Sequence, residues 1–376
     1  MLAPVLQEGI MKRIAIGMLL AMSAFPVVRA QQGVPEIPFD SVPNVFKLPP
    51  DLNFGEDAGV ALNSKGHIFV YTRSNSATGS AYGGAASQLL EFDQTGKFVR
   101  EIGKGLYAWA FAHAVRVDKD DNIWAIDKGS DMIIRFNPEG HVTMVFGRKK
   151  EASDKEAEPW ERNRNPPLPP VIGQFRQPTD VAWNASGDIF ISDGYVNSRV
   201  AKFDKNGDWV KSFGEPGSGP GQLNTPHSIA TDAKGNVYVA NRGNVRIEVF
   251  DGDGKYLRQI KLDVPVPPDA HAAIGPTPGP NAPPGTMSAG APWAICITPG
   301  PNQVLYAADA YPGRIYKVSL DGKVLGVLGK AGKQPKQFGW IHEIACPSEN
   351  ELYVAEILNW RVQKLQLHPE RVSATK

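Results

Sequence analysis

The amino-acid sequence predicts an all-β chain folded as a six-bladed β-propeller, and three regularities carry that prediction. One phrase, clearest at residues 222–250 (QLNTPHSIATDAKGNVYVANRGNVRIEVF), recurs along the chain. Each copy alternates apolar and polar residues as strands do, with Asp, Asn and Gly turns between the runs. Apart from two insertions, the copies return every ~50 residues, close to the period of about 40–50 expected for a blade made of four short antiparallel strands.

The register of the copies follows from three columns. First strands begin near Ala58, His113, Thr179, His227, Trp293 and His342, and second strands open on Phe69, Trp124, Phe190, Tyr238, Tyr306 and Tyr353. The interval is 11 residues in five copies and 13 in the fifth, where ITPGPNQV lengthens the turn. A polar residue closes each second strand: Thr72, Asp127, Asp193, Asn241, Asp309 and Glu356. Third strands follow as LLEF, IIRF, RVAKF, RIEVF, RIYKV and RVQKL, and in the first five copies a Gly-containing turn leads to a fourth. The sixth copy lacks a fourth strand of its own. The N-terminal stretch VPNVFKL is expected to supply it and close the ring, which removes open sheet edges.

A chain of 376 residues, 42% hydrophobic, can build a large core and is not a disordered polymer. Its formal net charge of +1 gives no electrostatic argument for nucleic acid or an anionic membrane as partner. Residues 11–30 (MKRIAIGMLLAMSAFPVVRA) carry a basic start, an apolar run and a small-residue end, the pattern of a secretory signal peptide. Met11 is a candidate true start, and an uncleaved anchor is the competing reading of the same run. The division expected is a signal peptide at 1–30, a Pro-rich lead-in with the closing strand at 31–50, the propeller at 51–368 and a tail at 369–376. The mature protein is expected to be exported, periplasmic or secreted, free of the membrane and monomeric.

The two cysteines, Cys296 and Cys346, lie in apolar strand contexts, where a bridge and two buried thiols are equally compatible. Neither is given a catalytic role. Residues 148–173 and 262–292 break the rhythm with charged, Pro-rich and Gly-rich sequence, so both are expected to be long loops. Lids over a functional face and plain surface insertions both account for them.

The chemistry of the chain starts from one column. His113, His227 and His342 open the first strands of blades two, four and six, so a closed ring points three imidazoles at one place on the axis. A single histidine in such a position is better explained by strand packing. Three of the seven histidines in one column, in alternate blades, favour a metal site. Three neutral imidazoles with a fourth position open suit catalytic zinc. His67, His141, His271 and His368 share no such register.

These repeats resemble NHL repeats, and from about residue 55 to 368 the chain is similar to peptidyl-α-hydroxyglycine α-amidating lyases. The resemblance rests on ISDGYVNSRV at 191–200, TPHSIA at 225–230, IFVYTR at 68–73, AHAV at 112–115 and IHEI at 341–344. It implies a zinc ion on His113, His227 and His342, a catalytic tyrosine at Tyr195, and active-site arginines at Arg73 and Arg242. It also implies a structural calcium ion on the carboxylate of Glu343 and the backbone carbonyls of Val60 and Val115. The reaction implied breaks the carbon–nitrogen bond of a carboxylate-bearing peptidyl or N-acyl α-hydroxyglycine, giving an amide and glyoxylate.

Trp340 departs from the family, which has methionine two residues before its third histidine, and Val196 stands where the family has a cysteine. Taken alone, Tyr195 also reads as a packed strand residue, and the two arginines as inter-blade salt-bridge partners. Two further functions stay open at this point. One is a metal-dependent hydrolase or lactonase, which would tolerate Tyr195→Phe. The other is a non-catalytic NHL scaffold, which would hold no zinc.

Overall fold

The computed structural model describes residues 33–73, 87–150, 171–279 and 281–371. The expected signal peptide, most of the insertion at 148–173 and the end of the tail lie outside the described residues. Within them the chain is β-structured, with no α-helix and short 3-10 turns at Arg242–Asn244 and 369–371. No helix among them is long and apolar enough to cross a membrane.

Six four-stranded antiparallel sheets form the blades, and five of them run in simple chain order from the axis outward. Their innermost strands are Glu56–Leu62, Ala112–Val117, Asp180–Trp183, Pro226–Thr231, Ala294–Ile297 and, in the sixth blade, Ile341–Ser348. The sixth sheet takes its outer strand from the N-terminal lead-in: Phe39–Val42 pairs antiparallel with Arg361–Leu367. That position was expected to be filled by VPNVFKL, and only Val42 of that stretch is in the strand. Residues beyond Val42 turn away instead, and Val45, Phe46 and Leu48 pack onto the interface between blades six and one. Apolar side chains gain more by covering that interface than by lying along a half-exposed edge.

The core is divided into six apolar clusters, one between each pair of neighbouring blades, including the pair formed by the sixth and the first. The aromatic column explains how each is filled. Phe69, Trp124, Phe190, Tyr238, Tyr306 and Tyr353 are all buried, and each enters the cluster shared with the following blade. Each such side chain contributes roughly 1.5–3 kcal/mol through burial.

The polar column has an equally regular task. Its six members are completely buried. Each accepts a backbone N–H from the segment leading into its own innermost strand: Gly55, Ala110, Arg176, Asn224, Gly290 and Gly339 donate to Thr72, Asp127, Asp193, Asn241, Asp309 and Glu356. Every donor lies three residues before the first-strand column. The buried acceptor therefore sets where each chain reaches the axis, and satisfies an amide that burial would otherwise orphan.

Cys296 and Cys346 form a disulfide between the innermost strands of blades five and six. The bridge is thus the outcome, not the pair of buried thiols. It lines an apolar funnel of about 500 Å³, bordered by Val60, Val181, Trp183 and Ile229 and reached by Arg116.

Candidate metal centre and active site

His113 and His342 each stand as the extra residue of a β-bulge in their innermost strand. Ala112 pairs with Asp127 and Ala114 with Ile126, so His113 faces no partner, and His342 is skipped in the same way between Ile341 and Glu343. In blade four, His227 and Ser228 together oppose Ala240. A bulge frees a side chain from the in–out alternation of a strand and re-aims it, here toward the axis.

The three rings gather there with centroids 4.6–4.8 Å apart. One nitrogen from each lies within 4.8 Å of the others, the scale on which one ion can touch three donors. The other nitrogen of each ring is already committed. Nδ1 of His113 bonds the carbonyl of Thr179 at 2.6 Å, that of His227 the carbonyl of Trp293 at 2.6 Å, and that of His342 the carbonyl of Ala58 at 2.8 Å. These acceptors are the first-strand column residues of the odd blades.

A carbonyl only accepts, so every Nδ1 carries the proton and every Nε2 offers a lone pair. Burial first, and then the positive charges and imidazoles nearby, hold all three histidines well below the usual imidazole range. They are neutral at physiological pH, as metal ligands must be. Nε2 of His227 is buried with no hydrogen-bond partner.

Tyr195 comes from the turn after Asp193. Its hydroxyl lies 3.4 Å from His113 Nε2, with its ring 5.6 Å from that of His113 and 6.0 Å from that of His227. Gly194 makes this approach possible: a Cβ there would sit 1.9 Å from the carbonyl oxygen of Pro226, next to His227. Burial raises the Tyr195 pKa, but the charges of Arg242, Lys128 and Arg73 outweigh it and bring the phenol below its usual range.

Arg242 is buried, with its guanidinium 3.7 Å from the ring centroid of Trp293 and 5.4 Å from that of Tyr195. Arg73 is buried too, held by Glu56 at 2.8 Å and by the carbonyl of Ala112 at 2.9 Å, with its guanidinium over Phe111. The catalytic and zinc positions implied by the resemblance thus surround a single point. Trp340 sets its ring edge-on to Trp293, 4.7 Å between centroids, and so extends an aromatic wall beside His227.

Lys128 was not singled out in the sequence, yet its ammonium lies 4.4 Å from the Tyr195 ring centroid and 4.5 Å from that of Phe111. A signal existed. Arg73, Lys128 and Arg242 each directly follow a member of the polar column, in blades one, two and four.

The calcium positions fare differently. Glu343 Oε2 accepts hydrogen bonds from the N–H groups of Val60 and Val115, at 3.0 and 3.1 Å, and Oε1 lies 2.9 Å from the guanidinium of Arg116. Two backbone donors already occupy one oxygen of this carboxylate, and a guanidinium lies against the other, where a cation would have to sit. These residues do not fit a calcium ion, which takes oxygen ligands only.

Fold and site together define a six-bladed β-propeller with a three-histidine centre on its axis. A family model described as a 6-bladed beta-propeller, DUF5128, matches residues 174–273. The chain is similar to the mouse peptidyl-glycine alpha-amidating monooxygenase, 26% identical over 88% of this chain and 32% of that protein. It is 26% identical to a probable peptidyl-alpha-hydroxyglycine alpha-amidating lyase of Caenorhabditis elegans, over 58% of this chain and 62% of that one. To human NHL repeat-containing protein 3 it is 30% identical over 45% of this chain and 47% of that protein.

The chain spans about a third of the length of the amidating monooxygenases it matches. Among solved structures, a streptogramin B lyase shares the fold with a TM-score of 0.53 at 16% identity, covering 88% of this chain and 98% of that one. So does a gluconolactonase of Xanthomonas campestris, with a TM-score of 0.53 at 14% identity over 91% of this chain and 99% of that one.

Proposed function

We propose that this chain is a zinc-dependent carbon–nitrogen lyase that cleaves a peptidyl or N-acyl α-hydroxyglycine to an amide and glyoxylate. The observation that carries the reading is the convergence of three neutral imidazoles, their lone pairs set inward, with the hydroxyl of Tyr195 beside one of them. The similarity to amidating lyases supports it independently. His113, His227 and His342 would hold the ion, and the orphaned Nε2 of His227 is what a nitrogen kept for a ligand looks like. When bound, zinc supplies Lewis-acid stabilisation of negative charge on a substrate oxygen.

The remaining work falls to the chain itself. Tyr195, as tyrosinate, takes the proton of the carbinol hydroxyl. The carbon–oxygen double bond of glyoxylate forms as the carbon–nitrogen bond breaks. Its electron pair passes to the amide nitrogen, which then takes the proton back from Tyr195. Arg242 and Arg73 suit the substrate carboxylate, and their own contacts hold them in place before it arrives. Lys128 adds a third positive charge that favours the tyrosinate.

The proposal includes export of the mature chain and a small-molecule or peptide substrate bearing a carboxylate. It is tested by metal analysis and by glyoxylate release from α-hydroxyhippurate, for the wild type and His227→Ala. Stoichiometric zinc and glyoxylate release, both lost in the variant, are expected. A wild type that takes up no metal when zinc is supplied refutes the lyase and leaves a binding scaffold. The same imidazole set also suits a metal-dependent hydrolase or lactonase, and the reading passes to that class if lactone hydrolysis survives Tyr195→Phe.

A further inference from the structure

Three residues beyond His113, on the same innermost strand, Arg116 turns its guanidinium into the ring of inner strands. Its side chain is 13% exposed, and the two carboxylates it meets, Asp180 and Glu343, are each 2% exposed. Nε and Nη2 grip Asp180 at 2.9 and 2.6 Å, and Nε also lies 2.9 Å from Glu343. Nη1 donates to the carbonyl of Ile344 at 3.2 Å, and Nη2 to Ser228 Oγ and the carbonyl of Ile295 at 3.2 and 3.3 Å. The carboxylates carry the network outward. Asp180 accepts from Ser228 Oγ and the N–H of Ile229, and Glu343 from the N–H groups of Val60 and Val115.

Every one of the six innermost strands therefore enters a network built around one guanidinium. Ser228 directly follows His227, and Glu343 directly follows His342. Gly59 permits the closure, since a Cβ there would meet Glu343 Oε2 at 2.6 Å and the Val115 nitrogen at 2.7 Å.

We propose that Arg116 is the built-in axial cation of this propeller. It stands in place of a structural metal ion and, as a positioning residue, sets the spacing of the three strands that carry the histidines. A guanidinium is permanently charged, and its planar fork matches a carboxylate with two hydrogen bonds, so it grips Asp180, balances one of the two negative charges it shares with Glu343, and does so without any dependence on dissolved ions. Removing it alone would leave two buried carboxylates uncompensated, and such a pair attracts a divalent cation. The positioning half of the inference rests on the reading of the histidines as a metal centre, whereas the structural half does not.

The test uses thermal unfolding with and without excess calcium, together with zinc affinity measured by competition with a chromophoric chelator. Calcium is expected to leave the melting temperature of the wild type unchanged and to raise that of Arg116→Ala. A variant with Arg116→Met, Asp180→Asn and Glu343→Gln has no buried charge left to compensate. It is expected to fold and to bind zinc about 10–100-fold more weakly, the usual loss when groups behind metal ligands are removed. Stabilisation of the wild type by calcium overturns the structural half, and wild-type zinc affinity in the triple variant overturns the positioning half. A wild type that binds no zinc defeats the positioning half along with the metal-centre reading, and the calcium response of Arg116→Ala still decides the structural half. If Arg116→Ala does not fold, the wild-type calcium titration and the triple variant decide the two halves between them.

Discussion

Each imidazole of the centre is prepared by its own second nitrogen, because a carbonyl from the next blade accepts a hydrogen bond from Nδ1–H, fixes the proton there and leaves Nε2 to act. Tyr195 stands apart from this preparation, its hydroxyl beside the cluster and set among Arg242, Lys128 and Arg73. Tyr195→Phe is expected to lower kcat for glyoxylate release by roughly 10²–10⁴, the typical worth of a positioned acid–base group. Zinc content should be unchanged, since the variant removes no ligand, and metal analysis on the same preparation checks this. The histidines were legible in the sequence because three copies of one phrase placed them in register. Lys128 was harder to see, since a lysine after a strand looks like an ordinary surface residue until Tyr195 lies beneath its ammonium.

At the scale of elements, bulges and buried caps convert a repeat into a site. Gly194 lets the turn that carries Tyr195 press against the strand that carries His227. Gly194→Ala should push that turn outward and cost about 100-fold in kcat, as displacements near an ångström do. Steady-state kinetics beside an unchanged zinc content would separate this from loss of the metal.

The caps make a second prediction. Burial pushes the carboxyl of Asp309 up to about 6, against 3.8 for the free group, despite the N–H groups of Gly290, Gly313 and Arg314 that bond it. The folded state therefore holds this proton more tightly than the unfolded chain. The stabilisation is complete below pH 3.8 and is lost as pH rises through about 6. That loss is worth about 3 kcal/mol. Asp309→Asn should abolish this part of the slope, measured by urea unfolding at pH 4 and pH 7.

For the whole molecule, stability is shared among six inter-blade cores, and the Cys296–Cys346 bridge ties two of the blades across a sequence separation of 50 residues. Closing a loop of that size restricts the unfolded chain by about 4 kcal/mol in the chain-entropy view. Cys296→Ser with Cys346→Ser should lower the melting temperature while leaving glyoxylate release at 25 °C in place, because neither sulfur touches the histidines. Calorimetry and the same assay check both halves.

By itself the sequence determined the propeller, its six blades, the aromatic and polar columns and the histidine register. Repetition makes these local patterns visible: a period of two along each strand, a turn signal between strands, one column repeated six times. Several features needed the folded ring. The outer strand of blade six lies at Phe39–Val42 because the apolar residues after it gain more from the gap between blades six and one. The cysteines pair because two inner strands meet there.

Arg116 was the least legible of all. In a strand that alternates apolar and polar residues, an arginine reads as solvent-facing, and Glu343 was tied to a metal only through the family resemblance. Only convergence of six strands on one axis puts that arginine between Asp180 and Glu343. Contacts between residues so distant in the chain are decided by closure of the ring, and no local pattern records them.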